Sequence, residues 1–175
     1  MPTINFGHVV DRRVPRHRLP PACPAQAARV RPMSAVLRQA TRDDLAGIWR
    51  VRYAVSENTL APGRIADTEV VAQLEATGRG WVVEEAGDIV AFAIGDASGA
   101  NVWALFVDPR AEGRGHGSRL HDTMVEWLWT SGLTTLWLTT GATTKARGFY
   151  ERRGWRCMAA LDDGQVRLEL VNAWS

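Results

Sequence analysis

Residues 102–118 read VWALFVDPRAEGRGHGS. An apolar run from Val102 to Val107, bounded by Asn101 and by Asp108-Pro109, gives way to a loop with glycines at 113, 115 and 117. A run this short, with turn signals at both ends, fits a strand buried on both faces better than a helix. Glycines let the backbone approach a ligand closely. Leu120, Met124, Trp127 and Leu128 then mark a helix buried along one face. Strand, glycine loop and helix N-terminus in that order make a ready pyrophosphate site, because free N–H groups and the positive end of the helix dipole face the ligand. Arg114 adds a charge partner.

Working outward, Leu37 to Ala40 reads as a short strand, and Thr41 caps a first helix running to about Val55, with Leu45, Ile48, Trp49 and Arg52 at helical spacing. Asp67 is placed to cap a second helix, which Gly78-Arg79-Gly80 ends. Trp81 to Glu85 and Ile89 to Ile94, joined at Gly87-Asp88, form a hairpin signature. Downstream of the loop, residues 133–140 read as a strand, 144–153 as a helix stopped by Gly154, and 155–160 and 165–171 as closing strands. The order β-α-α-β-β-β-α-β-α-β-β predicts one α/β domain, with no internal repeat.

Which phosphate ligand the loop takes is narrowed by its spacing. The dinucleotide fingerprint places a third glycine where Ser118 stands, and the Lys-Ser/Thr ending of a P-loop is absent. Glu112-Gly-Arg-Gly115-His-Gly117, following a strand that ends apolar-x-Pro, instead resembles the coenzyme loop of the GNAT family of N-acetyltransferases, with Glu112 where Gln or Arg is usual. Ala146, Phe149-Tyr150, Gly154 and Trp155 resemble that family's second motif, with Thr143 where asparagine is frequent. The likeness spans about residues 37–170.

The resemblance implies a mixed central sheet of about six to seven strands with helices on both faces. It implies acetyl-CoA as co-substrate; His121 with Asp122 has no metal spacing, so no metal is expected. Leu105, Phe106 and Val107 would bind the pantetheine arm as an added strand does, on an edge that a bulge opens. Glu112, Gly113, Arg114, Gly115, His116, Gly117 and Ser118 would hold the pyrophosphate, with Phe149 beside them. Tyr150 would assist the thiolate leaving group, since a phenol with pKa ~10 is a suitable partner for a thiol of ~8.5. The strand itself carries no acid, so Glu57, in the loop after the first helix, and His116 are the candidates to deprotonate the amine. Trp49 and Trp103 are candidates to line the acceptor pocket. The other assigned tryptophans read as core.

Charge and composition bound the partners. Residues 1–34 hold six arginines against Asp11, a net +5, which leaves −3 for the rest of a chain totalling +2. That balance argues against an extended nucleic-acid surface on the folded part. The same stretch holds six of the 8 prolines and shows no apolar periodicity, so it reads as a disordered extension, with Met33 as an alternative start. Residues 35–175 then form the catalytic domain. No apolar run approaches the ~20 residues of a membrane span. Cys23 and Cys157 make neither a metal spacing nor a disulfide framework, in keeping with a reducing cytoplasm. A homodimer is compatible with the sequence.

The leading expectation is an N-acetyltransferase acting on a small-molecule or peptide amine. Two alternatives stand beside it: an acyl-CoA sensor without turnover, and an acetyltransferase of protein or aminoacyl-tRNA. For the extension, the expectation is dispensability, because its composition cannot offset an ordering cost of roughly 1–2 kcal/mol per residue. A chain beginning at Met33 should keep the melting temperature and coenzyme affinity of the full chain. A large loss in either would show that residues 1–32 dock on the domain.

Overall fold

A computed structural model describes residues 35–56, 63–162 and 164–173. The extension 1–34 and Glu57 lie outside the described residues. Seven strands form one sheet in the order β1-β2-β3-β4-β5-β7-β6. These are β1 (Val36–Gln39), β2 (Gly78–Glu85), β3 (Asp88–Asp96), β4 (Asn101–Val107), β5 (Thr135–Gly141), β6 (Arg156–Ala160) and β7 (Gln165–Val171). Four α-helices cover it: α1 (Leu45–Ala54), α2 (Asp67–Glu75), α3 (His116–Thr130) and α4 (Lys145–Glu151). Every neighbouring pair of strands is antiparallel except β4 and β5, which run parallel.

The helices divide between the faces as apolar spacing directs. Ile48 and Val51 of α1 and Val70 and Leu74 of α2 pack with Val82, Phe92, Ile94 and Ala104 on one side. Leu120, Met124 and Leu128 of α3 and Tyr150 of α4 pack with Val83, Ala93, Leu136 and Leu168 on the other. The alternation of side chains along a strand sends successive residues to these two layers. In β4 the alternation breaks. Val102, Leu105 and Val107 belong to the α3 side, whereas Trp103, Ala104 and Phe106 all belong to the α1 side. The register against β3 slips at the same place, Val102 opposite Gly95 and Ala104 opposite Ile94, so Trp103 is the extra residue of a β-bulge.

Local details correct three expectations from the sequence. The β2–β3 turn is Ala86-Gly87, both at positive φ (58° and 85°), and Asp88 already belongs to β3. That is the backbone of a two-residue hairpin loop matched to strand twist. Asp67 is the first residue of α2 rather than its cap, and its carboxylate accepts the Trp49 indole N–H at 2.7 Å. Gly78-Arg79-Gly80 follow α2 as expected but already belong to β2, which begins three residues before Trp81. A Cβ at Gly78 would sit 2.2 Å from the Gly95 carbonyl oxygen of β3 and 2.7 Å from the Gln73 carbonyl oxygen of α2, so their close approach requires that glycine, whereas at Gly80 it would meet the tip of the Leu74 side chain.

A polar pair is built into the α3 side of the core. The Trp155 indole donates to His121 Nε2 at 3.0 Å, which leaves the ring proton on Nδ1, 2.8 Å from Asp122 Oδ1. Burial pushes the His121 pKa down against the pull of Asp122. The unfolded chain therefore takes up a proton near pH ~6.5 that the folded chain resists. Stability should fall as the pH drops below about 6.5. Asp44 beside Arg38 and Asp108 beside Arg110 are held below the usual carboxylate range, and their contribution is lost only below about pH 4. Denaturant unfolding at about pH 7 and about pH 5.5 should show this loss, and His121→Gln should remove most of it. An equal pH dependence in both proteins would contradict the assignment.

Candidate active site

The parallel pairing of β4 with β5 registers at a single position, Asn101 opposite Trp137. The Trp137 N–H donates to the Ala100 carbonyl at 3.0 Å, and its indole to the Gly99 carbonyl at 2.8 Å. Beyond that point the strands part. β4 stays paired with β3 along its length and β5 with β7, so the sheet opens as a wedge between them. A cavity of about 1090 Å³ occupies the wedge, lined by Val102 to Val107 on one side and Leu138 to Gly141 on the other. The β4 backbone beyond the bulge has no neighbouring strand on this side. It can take hydrogen bonds from an extended ligand.

The loop at the end of β4 is tied down from behind. Asp108, 2% exposed, accepts from the Arg110 backbone N–H (2.9 Å), Nε (3.0 Å) and Nη2 (2.7 Å), while its own N–H donates to the Val90 carbonyl (2.8 Å). The Arg110 guanidinium holds that carboxyl below the usual range. Gly113 and Gly115 follow at φ 75° and 83°, and a Cβ at either would meet nothing within 4 Å. That open cradle ends at Gly115, the N-cap of α3. The first-turn N–H groups of His116, Gly117 and Ser118 have no acceptor within the helix. Glu112, Gly113, Gly115, His116, Gly117 and Ser118 all line the cavity. The cradle fits a pyrophosphate.

Two loop side chains stand differently from the expectation. Arg114 does not line the cavity; its guanidinium donates to Glu85 Oε2 at 2.7 Å and to the Arg110 carbonyl at 3.0 Å. His116 is buried, 4% exposed, with Nε2 2.9 Å from Glu85 Oε1 but without the angle of a hydrogen bond, so both ring nitrogens lack a hydrogen-bond partner. Glu85 on β2 thus faces both Arg114 and His116. Lys145, at the start of α4, was not singled out from the sequence. It lines the cavity, and its Nζ lies 4.0 Å from Glu112 Oε2.

At the inner end, α4 brings Phe149 and Tyr150 against α3. Thr144 caps the helix, its hydroxyl accepting the Arg147 N–H at 3.4 Å. The Tyr150 ring packs edge-on against Phe149 (5.2 Å between centroids) and Trp155 (5.5 Å), and lies 6.1 Å from His121. Only 6% of Tyr150 is exposed, and burial pushes its phenol well above its ordinary pKa. The phenol is therefore neutral, a hydrogen-bond donor, at physiological pH. A Cβ at Gly117 would lie 3.5 Å from Val107 and 3.8 Å from Phe149, ordinary contact distances, so α3 starts against both side chains.

Toward α1 and α2 the cavity is aromatic, with Trp49, Phe92, Trp103 and Phe106 in its wall. Arg52 and Glu69 are the charged residues of that part of the lining. Nothing in the sequence distinguished Glu69, and Arg52 stood out only by its helical spacing. Among the described residues no three or more His, Cys, Asp or Glu side chains come together as metal ligands. No described helix is long and apolar enough to cross a membrane.

Solved structures share this architecture. The ribosomal-protein-S18-alanine N-acetyltransferase of Escherichia coli superposes with a TM-score of 0.65 at 18% identity, covering 79% of this chain and 94% of its own. The PaiA N-acetyltransferase of Thermoplasma acidophilum, solved in complex with coenzyme A, gives 0.65 at 13% identity, covering 80% and 100%. An N-acetyltransferase of Staphylococcus aureus Mu50 gives 0.66 at 20% identity, covering 79% and 98%. At these identities the likeness is one of fold. Comparison with curated proteins finds no match. The pattern of the Acetyltransferase (GNAT) family matches residues 39–155, which takes in both the glycine loop and Tyr150, and the chain belongs to this family of acetyl-CoA-dependent N-acetyltransferases.

Proposed function

We propose that the enzyme transfers an acetyl group to a primary amine of a small molecule or peptide by direct attack, with Tyr150 assisting the thiolate leaving group. The observation that carries this reading is the continuous wedge between β4 and β5, which runs from the glycine cradle past the β4 edge to Tyr150. Acetyl-CoA supplies the acyl group as a thioester. Gly113, Gly115 and the first-turn N–H groups of α3 hold its pyrophosphate, with Lys145 as the cation facing that end. Leu105, Phe106 and Val107 offer backbone groups to the pantetheine arm. The resemblance also gave Arg114 a part here, but its guanidinium is engaged by Glu85, and we assign it to holding the loop.

In the reaction the C–N bond forms, the C–S bond breaks, the amine loses a proton and the sulfur gains one. A phenol whose pKa is raised by burial donates a hydrogen bond to the developing thiolate more readily than it gives up its proton outright. For the amine proton, Glu57 remains the sequence-based candidate, and Glu69 is a carboxylate in the acceptor wall. His116, turned toward Glu85 in a buried setting, is the weaker choice. An exposed free thiol at Cys157 is in keeping with a reducing cytoplasm, where we place the enzyme.

Tyr150→Phe removes one hydroxyl and keeps the ring that packs against Phe149 and Trp155. Coenzyme affinity and melting temperature should change little. Turnover should fall by roughly 10²–10⁴-fold, in kcat and kcat/KM together, because the interaction matters in the transition state. Unchanged kcat in the variant would remove Tyr150 from the chemistry. Absence of thiol release with every amine, in a protein that binds acetyl-CoA, would favour a sensor.

A further inference from the structure

Helix α4 is seven residues long, and a helix that short has little stability of its own. What holds Tyr150 in place must come from its neighbours. The turn that follows α4 is wound about Tyr150 itself. The Tyr150 carbonyl oxygen accepts the N–H of Arg153 at 2.8 Å and that of Trp155 at 3.3 Å, and Gly154 between them takes φ 86°. This turn brings the Trp155 ring to 5.5 Å from the Tyr150 ring, edge-on at 68°.

Trp155 is tied in turn to a different helix. Its indole N–H donates to His121 Nε2 on α3 at 3.0 Å, a bond between two buried side chains. The His121 ring lies 6.1 Å from Tyr150 and 5.8 Å from Phe149, so Phe149, Trp155 and His121 all pack around the phenol ring. To accept the indole proton, Nε2 must carry none of its own. Nδ1, 2.8 Å from Asp122 Oδ1, holds the ring's proton, and burial disfavours the doubly protonated ring. Asp122 on α3 and Arg153 on the turn are the charges acting on it, with opposite signs.

Phe149 and Tyr150 line the cavity, whereas His121 and Trp155 do not. The pair therefore stands behind the phenol and can act on the reaction through it. Resting on the role given to Tyr150 above, we propose that His121 and Trp155 are positioning residues, whose hydrogen bond clamps the turn after α4 to α3 and fixes the phenol where the thiolate forms. Ring packing tolerates small sliding motions, whereas a hydrogen bond sets both a distance and a direction. That difference matters for a group acting in the transition state, since a misplacement of ~1 Å can cost about 100-fold in rate. The coenzyme cradle lies at the other end of the wedge, so the clamp bears on kcat and not on coenzyme binding.

Trp155→Phe keeps an aromatic ring and deletes the donor; His121→Leu deletes the acceptor. Each should lower kcat by roughly 10–100-fold while the KM for acetyl-CoA and the Kd for coenzyme A stay unchanged. His121→Gln, which keeps an acceptor for the indole, should restore most of kcat. In a Tyr150→Phe background the Trp155 and His121 changes should cost almost nothing more, because the hydroxyl they position is gone. Equal losses in both backgrounds would overturn the inference and leave the role of Tyr150 standing. So would a lower melting temperature with kcat intact, the mark of a merely structural bond. A Tyr150→Phe enzyme with unchanged kcat would overturn both readings. If Trp155→Phe and His121→Leu fold poorly, β-(3-benzothienyl)alanine at position 155 decides, since it exchanges the indole N–H for sulfur at the same ring size. It should show the loss in kcat, and a wild-type kcat there would overturn the inference.

Discussion

Parallel strands β4 and β5 are joined only at their base. Trp137 makes the junction, through its backbone N–H to Ala100 and its indole to Gly99. Because each strand is fully occupied by its other neighbour, the two halves of the sheet keep their own pairing while the gap between them widens. Trp103 adds to the separation, since the extra residue bends β4 and re-aims its side chains. Were β4 and β5 paired to their ends, the cavity would close and the β4 backbone would have no free side. Ligand sites at the carboxyl ends of parallel strands, next to the helices that follow, are a recurrent solution. Here α3 leaves β4 and α4 follows β5, so both helices deliver their N-terminal residues to the opening.

The phosphate loop is held from the side that faces away from the ligand. Asp108 gathers Arg110, and Glu85 faces Arg114 and His116. These contacts spend the loop's charged side chains on its own support and leave its backbone facing the cavity. Much of the binding surface is thus peptide N–H and open space above two glycines rather than side-chain charge.

The order of elements was legible because periodicity and turn residues are local signals, and Val102 to Val107 read correctly as a strand, although only Val102 and Ala104 are buried and the rest border the cavity. The bulge at Trp103 left no trace in that reading. A strand apolar on both faces shows no alternation, so a slip of one residue cannot be seen in it. The glycines at 113, 115 and 117 announced a close approach to a ligand. Gly78 carried the same chemistry and was read only as part of a helix stop, since the neighbour that crowds it, the Gly95 backbone, is assigned only by the fold. Direction was the other hidden quantity. The spacing of Arg114 could not tell a ligand-facing guanidinium from one bonded to Glu85. Arg52 and Glu69 emerged as residues of the cavity lining only once the fold had brought α1 and α2 against β4.

The central claim is that the wedge between β4 and β5 receives the coenzyme. Amide hydrogen exchange of the protein with and without coenzyme A tests it most directly, because the free backbone groups of β4 and of the first turn of α3 are the predicted contacts. Coenzyme A should slow exchange at residues 104–107 and 113–118 and leave β1 and the outer part of β2 unaffected. Binding that protects other segments while residues 104–107 exchange as before would contradict the account.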